Sequence, residues 1–330
     1  MAMEEFGICP ENQTVQRIRI SGGGLTAYVL TLGATLQDLR LDGHPSPLVV
    51  GFERLEDYFE HSQHHGVTAG RVINRIGGAS MVIDGVRYQL DANQDDRHML
   101  HGGQSGYGMR NWEIIDHLDN SVTLGLTDPD GAMGFPGTVN ATCRYSLVEG
   151  ATLRVDLTAS TDAKTVVNLG HHSYFCLDSA GDIRNQRLWI DACRYLPTDA
   201  DCLPTGDVLP VEATEFDFRE ERTISTAFDH NFCLAQMQRP PVPVARLHSP
   251  VSDITMTVTT SEAGLQFYTG HGLSGRGKTI DGQSNSPYAA LCLEPQSWPD
   301  APNHDHFPSI ALGANERYHQ TSQFVFSRLL

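Results

Sequence analysis

Apolar and polar residues alternate with a period of two along much of this chain. In SVTLGLTD the apolar positions are Val122, Leu124 and Leu126. In TLRVDLTAS they are Leu153, Val155 and Leu157, and in ITMTVTT they are Ile254, Met256 and Val258. Successive side chains of an extended strand point to opposite faces, so this pattern predicts strands buried on one face. RIRISGGGLTAYVLTLGATLQDLRLDG reads as further strands cut by glycine turns. The 31 glycines and 17 prolines sit mostly between such runs, as turn punctuation. One short helix is predicted, in FERLEDYFEH over residues 52–61. The expected fold class is therefore all-β and mostly antiparallel, a large sandwich or barrel. No repeat of fixed period and no low-complexity linker interrupts it, so residues 1–330 are expected to form a single domain. MQRPPVPVARLHSP (237–250) is rich in proline but short, and is read as a surface excursion within that domain.

Charge narrows the range of partners. Forty acidic residues against 23 basic ones give a formal net charge of −17, and Lys164 and Lys278 are the only lysines. So acidic a surface repels phosphate backbones and anionic lipid, which argues against nucleic-acid and membrane-surface roles and suits a neutral small molecule. Seven cysteines at scattered spacings, several in apolar runs such as YFCL and ALCLE, read as free buried thiols in a reducing, cytoplasmic compartment. The amino-terminal MAMEEFGICPENQ is acidic and lacks the apolar core of a signal peptide. No apolar run is long enough to span a membrane.

Candidate chemistry concentrates in a few polar clusters within apolar or glycine-rich sequence. They are GRVINRIGGA (Arg71, Asn74, Arg75), NQDDRHMLHGG (Asn93, His98, His101), NLGHHSYFCL (His171, His172), FDHNFCL (Asp229, His230) and ALCLEPQSWPDAPNHDHFPS (Glu294, Gln296, Trp298, Asp300, Asn303). Glu294 follows a run suited to a buried strand, where a carboxylate is either paired with a cation such as Arg71 or Arg75 or desolvated. A desolvated carboxyl has a raised pKa and can serve as a general base near neutral pH. In an extended chain only one of His171 and His172 can face a given pocket. That histidine is either a hydrogen-bonded core residue or a group that moves a proton. LHGG is either a plain turn or part of a site. Trp298 is either core or a flat platform for a sugar ring. Metal chemistry of a cupin type would draw on His304 and His306 with Glu294, but NHDHFPS reads as a proline-flanked loop. HSQHH (His61, His64, His65) reads as a solvated surface after the helix.

Taken in order, GRVINRIGG, LHGG, NLGHHSYFCL, LPTG, FDFR, FDHNFCL, GLQFYTG and LCLEPQSWPDAPNHDHFP resemble the aldose 1-epimerase (galactose mutarotase) family from about residue 25 to the carboxyl terminus. The resemblance implies a single-domain antiparallel β-supersandwich, galactose mutarotase-like, that interconverts the α and β anomers of a free aldose with neither a metal nor an organic cofactor. It assigns the general base to Glu294 and the acid that protonates the ring oxygen to His172. It assigns sugar contacts to Arg71, His101 and Asp229. His172 is then the histidine that faces the pocket, with His171 on the other face or at the rim. The pair must be ionised in opposite senses, which Asp229 is expected to favour. The partner is a small aldose, and the chain is expected to be a monomer or homodimer. The sequence departs from the family pattern at His98, His171, Cys176 and Pro295, positions that bear on sugar preference. A metal-dependent cupin-like isomerase or lyase, a non-catalytic sugar-binding module and a hexose-6-phosphate epimerase are the alternatives. The last would need an arginine cluster for phosphate.

Overall fold

Alternation becomes sheet in the computed structural model, which describes residues 2–178 and 181–328. Among these residues the largest unit is a nine-stranded antiparallel sheet. Its strands run, edge to edge, Glu113–Leu118, Ser121–Asp128, Val139–Val148, Thr152–Thr161, Arg317–Arg328, Ile254–Thr260, Val242–His248, Arg187–Ile190 and Arg222–Thr223. Its register follows the hydrophobic pattern. Leu153 pairs with Phe324, Cys143 with Leu157 and Val258 with Phe324, so one face is a continuous apolar surface. Leu153, Val155, Leu157, Ile254, Met256 and Val258 are all buried there. Arg154 and Asp156, on the opposite face, pair with each other at 2.7 Å. A one-residue slip would exchange the two faces, so burial fixes the register.

A four-stranded sheet (Ala2–Ile8, Thr14–Gly22, Leu25–Leu30, Thr35–Leu41) adds Ile18, Ile20, Ala27 and Val29 to the same core. Gly23 and Gly24 close its central hairpin with φ of +59° and +87°, the left-handed pair that a two-residue turn demands. A Cβ at Gly23 would sit 2.0 Å from the carbonyl oxygen of Val148, so glycine is also required by space. The helix is shorter than its sequence signal, Leu55–Glu60. The proline-rich segment differs from expectation in its second half. Val242–His248 is an inner strand of the large sheet, and its ladder is interrupted between Pro243 and Ala245 by a bulge. Proline cannot donate to a ladder, and a bulge is where a sheet tolerates one.

A five-stranded antiparallel sheet (Leu209–Pro210, Arg194–Tyr195, Asp229–Cys233, Gly264–Tyr268, Cys292–Gln296) completes the frame. Phe232, Leu265, Phe267 and Leu293 point from one of its faces into the main core. Its other face carries Asp229, Asn231, Gln266, Tyr268, Cys292 and Glu294, and that face forms the site described next. Phe324, fully buried at the centre of the large sheet, packs against Phe175 (ring centroids 5.0 Å) and His171 (5.7 Å). Replacing it with alanine is expected to cost about 3–5 kcal/mol in urea unfolding, the range for a buried phenylalanine. A loss below about 1 kcal/mol would contradict its central place in the core.

Candidate active site

Cross-strand pairing builds the site. Gln266 lies opposite both Asn231 and Glu294, and Tyr268 lies opposite both Asp229 and Cys292. Two rows of polar side chains therefore cross three adjacent strands on a single face. A short strand, Gly170–His172, pairs with Val67–Ala69 and brings His172 over these rows. Alternation then separates the two histidines. His172 Nε2 lies 3.5 Å from Glu294 Oε1. His171 points into the core, where its Nδ1 meets the Tyr145 hydroxyl at 3.1 Å.

Between the rows and the loops lies a cavity of about 340 Å³, a size suited to a small polar ligand. Its walls include His64, Asn74, Arg75, His101, His172, Tyr174, Asp229, Gln266, Tyr268, His271 and Glu294. Glu294 is 2% exposed and His172 5%. Burial drives the Glu294 carboxyl well above its ordinary 4.5, the neighbouring Asp229 adds to the rise and Arg75 opposes it. Burial likewise holds His172 well below 6.5, with His64 contributing. Asp229 thus acts on Glu294 in the sense opposite to that expected: it strengthens the carboxyl's hold on its proton. Oε2 of Glu294 is buried without a hydrogen-bond partner, so the carboxyl keeps acceptor capacity for a ligand.

The histidines have defined neighbours. His101 Nδ1 accepts the Asn74 backbone N–H at 3.2 Å, and burial keeps the ring neutral, so its proton sits on Nε2. His172 Nδ1 lies 3.6 Å from Cys292 Sγ. Burial pushes the Cys292 thiol well above its ordinary pKa, so it stays protonated beside that nitrogen. The rings of His64 and His101 lie 4.3 Å apart and those of His101 and His172 5.1 Å apart. His64, Asn74 and His101 all hold left-handed backbones, with φ of +65°, +65° and +52°. Gly102 and Gly103 follow His101 at φ of +87° and +95°, and a Cβ on Gly102 would strike the Gly70 carbonyl oxygen at 1.9 Å. LHGG is thus both a turn and a site element.

The structure gathers Glu294, His172, His101 and Asp229 around the cavity but does not place Arg71 there. The Arg71 guanidinium is buried against Asp128 (2.6 and 2.8 Å) and the carbonyl oxygens of Pro136 and Gly137. Its role is to tie loops together, which corrects its reading as a sugar contact. The arginine on the cavity wall is Arg75, 3.7 Å from Asp229 and hydrogen-bonded to Gln94. Gln266, which donates to Asp229 at 2.7 Å, and His64 were both missed. HSQHH is not a solvated surface: His64 lines the cavity, and buried His65 stacks on Tyr174 with ring centroids 4.3 Å apart. His65 Nε2 also meets Asn285 at 3.0 Å. Trp298 is core, with its indole N–H donating to the Ala263 carbonyl. His304 faces Asp300 at 3.3 Å and His306 meets the Gly206 carbonyl, so neither converges with Glu294.

The sequence matches the aldose 1-epimerase family model over residues 16–325. It is 35% identical to a galactose mutarotase of Rattus norvegicus, over 98% of this chain and 97% of that protein. It is 30% identical to an aldose 1-epimerase of Escherichia coli K12, over 99% of each. Its fold overlays the crystal structure of an aldose epimerase homologue from C. elegans with a TM-score of 0.89 at 29% identity. That overlay covers 95% of this chain and 99% of the other.

The two arginines should separate in stability. Arg71→Met removes one side of a buried ion pair and is expected to cost about 3 kcal/mol, the low end for such a loss because Arg110 still reaches Asp128 at 2.9 Å. Arg75→Met is expected to cost no more than about 1 kcal/mol. Urea unfolding of both variants checks this, and equal losses would contradict the different placements.

Proposed function

The chain belongs to the aldose 1-epimerase family, and on that premise we propose that Glu294 and His172 interconvert the anomers of a free aldose in the cavity between them. The protein is an isomerase of the mutarotase type. The observation that carries the assignment of residues is the approach of His172 Nε2 to Glu294 Oε1, 3.5 Å, on the wall of a sugar-sized hollow.

Anomerisation needs a proton removed from the C1 hydroxyl while another is delivered to the ring oxygen. In the forward step Glu294 as carboxylate takes the C1–OH proton, the C1–O5 bond breaks and His172 as imidazolium gives its Nε2 proton to O5, keeping the one on Nδ1. The open aldehyde turns about C1–C2. Protonated Glu294 then returns its proton to O1, neutral His172 takes the proton from O5–H, and the ring closes on the opposite face of the carbonyl. One proton is shared by the pair throughout. Burial supports this reading, since it disfavours both the doubly protonated pair and the bare one. The open-chain intermediate coincides with the neutral pair, carboxylic acid and imidazole, which is the state an apolar surrounding favours. His101 Nε2–H is positioned as a donor beside His172, and Asp229, held by Gln266 and facing Arg75, as an acceptor for sugar hydroxyls.

The reading extends to the whole chain as one domain, supported by a single buried cluster that draws on residues from Ile18 to Phe326. It also includes a cytoplasmic monomer or homodimer, for which the buried free thiols Cys9, Cys143, Cys176 and Cys292 suit a reducing compartment.

Glu294→Gln and His172→Asn are each expected to lower turnover by about 10²–10⁴-fold, the usual worth of a positioned proton transfer, with unfolding transitions retained. Polarimetry on freshly dissolved α-D-galactose or α-D-glucose measures it, and near wild-type rates in either variant would refute the assignment.

The pH profile follows from the opposite shifts. His172 takes up a second proton only well below 6.5, and Glu294 releases the last one only well above 4.5. The acid limb of turnover is therefore expected to lie well below pH 6.5, where an ordinary histidine discharges, and the alkaline limb well above pH 4.5, where an ordinary glutamate does. Turnover should fall only when pH drops through the lowered value or rises through the raised one. An acid limb centred at or above 6.5 would contradict the lowered value of His172.

A further inference from the structure

The proposed acid and base have a third neighbour that the proton-transfer chemistry does not use. Cys292 is two residues before Glu294 on the same strand face, fully buried, with Sγ 3.6 Å from His172 Nδ1. One donor atom from each of Cys292, His172 and Glu294 lies within 4.8 Å of the others. The set is one sulfur, one imidazole nitrogen and one carboxylate oxygen, a combination that zinc-class cations accept. In tetrahedral coordination at about 2.0–2.3 Å from the ion, such donors stand about 3.3–3.6 Å from one another. The Cys292–His172 and His172–Glu294 contacts, 3.6 and 3.5 Å, are each near that spacing but do not share a nitrogen; with one donor atom per residue the set spans up to 4.8 Å. Capture therefore requires one side-chain rotation to bring both donors to a single nitrogen. A second observation points the same way. Glu294 Oε2 is buried and has no hydrogen-bond partner, an acceptor left open beside the other two donors.

We infer that Cys292, His172 and Glu294 form an inhibitory site for one zinc-class divalent cation, reached through the sugar cavity and filled in competition with sugar. That the cation stops turnover rests on Glu294 and His172 being the acid–base pair; that it binds does not. Ionised Cys292 and Glu294 together carry two negative charges. A dication neutralises them and makes a buried site that is polar but uncharged overall, whereas either anion alone would be costly in so dry a place. Bound metal would occupy the lone pairs of Glu294 and one nitrogen of His172, leaving neither free to exchange a proton with sugar. The fourth coordination position would face the cavity, where His64 and His101 stand within 5.8 and 5.1 Å of the His172 ring.

The test uses the full chain and Zn²⁺ or Co²⁺ alone. Zinc binding is read by competition with a chromogenic chelator. One equivalent is expected to bind, to be displaced by saturating galactose, and to abolish mutarotation reversibly, with EDTA restoring the rate. Co²⁺ at the same site should show a thiolate-to-metal charge-transfer band. Cys292→Ser and Cys292→Ala should abolish that band and weaken zinc binding at least about tenfold to a hundredfold, the loss incurred even when only an outer partner of a metal ligand is removed. Inhibition in each variant is scored against its own metal-free rate. Zinc binding that survives unchanged in both cysteine variants and in His172→Asn would place the metal elsewhere and overturn the inference. So would the absence of any one-equivalent binding. Either result would leave the assignment of the acid and base standing. Metal bound at this site with turnover intact would overturn its inhibitory role and, with it, the assignment of the pair.

Discussion

A strand has two faces, and this molecule depends on spending them differently. On the three adjacent strands Asp229–Cys233, Gly264–Tyr268 and Cys292–Gln296, one face gives Phe232, Leu265, Phe267 and Leu293 to the core. The other gives Asp229, Gln266, Tyr268 and Glu294 to the cavity. The apolar face fixes the register, because a slip by one residue would bury the polar rows and expose the aromatics. The register in turn sets which polar groups stand opposite one another. The same rule at Gly170–His172 sends His171 to Tyr145 and Phe324 and leaves His172 over Glu294. The site's geometry is therefore a by-product of packing, held by rigid elements.

Burial then sets the chemistry. Each of the two central groups loses water, and each responds by favouring its uncharged form. Asp229 and Arg75 stand on the same wall and act on Glu294 in opposite senses, so the carboxyl's proton affinity is a balance rather than the result of one contact. A pair tuned in this way changes which member holds the proton at little cost in net charge, which is what a reaction that must run in both directions requires.

Much of this was legible in the sequence. Period-2 runs marked the strands, and an acidic residue after YAALCL and a histidine doublet in an apolar segment marked the centre of the site. What stayed hidden was set by contacts between distant parts of the chain. Nothing local distinguishes Arg71 from Arg75. The first is claimed by Asp128, 57 residues away, and the second is left to the cavity. His64 lies in a polar stretch that a helix signal precedes, and only the turn with φ of +65° swings it inward. Pro243 argued for a loop because the bulge that accommodates it depends on the partner strand Ile254–Thr260.

The left-handed backbones at His64, Asn74 and His101 limit how this pocket can be remodelled. Valine, isoleucine and threonine resist that conformation, whereas asparagine, aspartate, histidine and glycine accept it. An evolving or engineered lineage thus has only a narrow alphabet at those three wall positions. Divergence in ligand preference has a freer path through Tyr268, a half-buried wall residue on a strand whose backbone carries no such restriction.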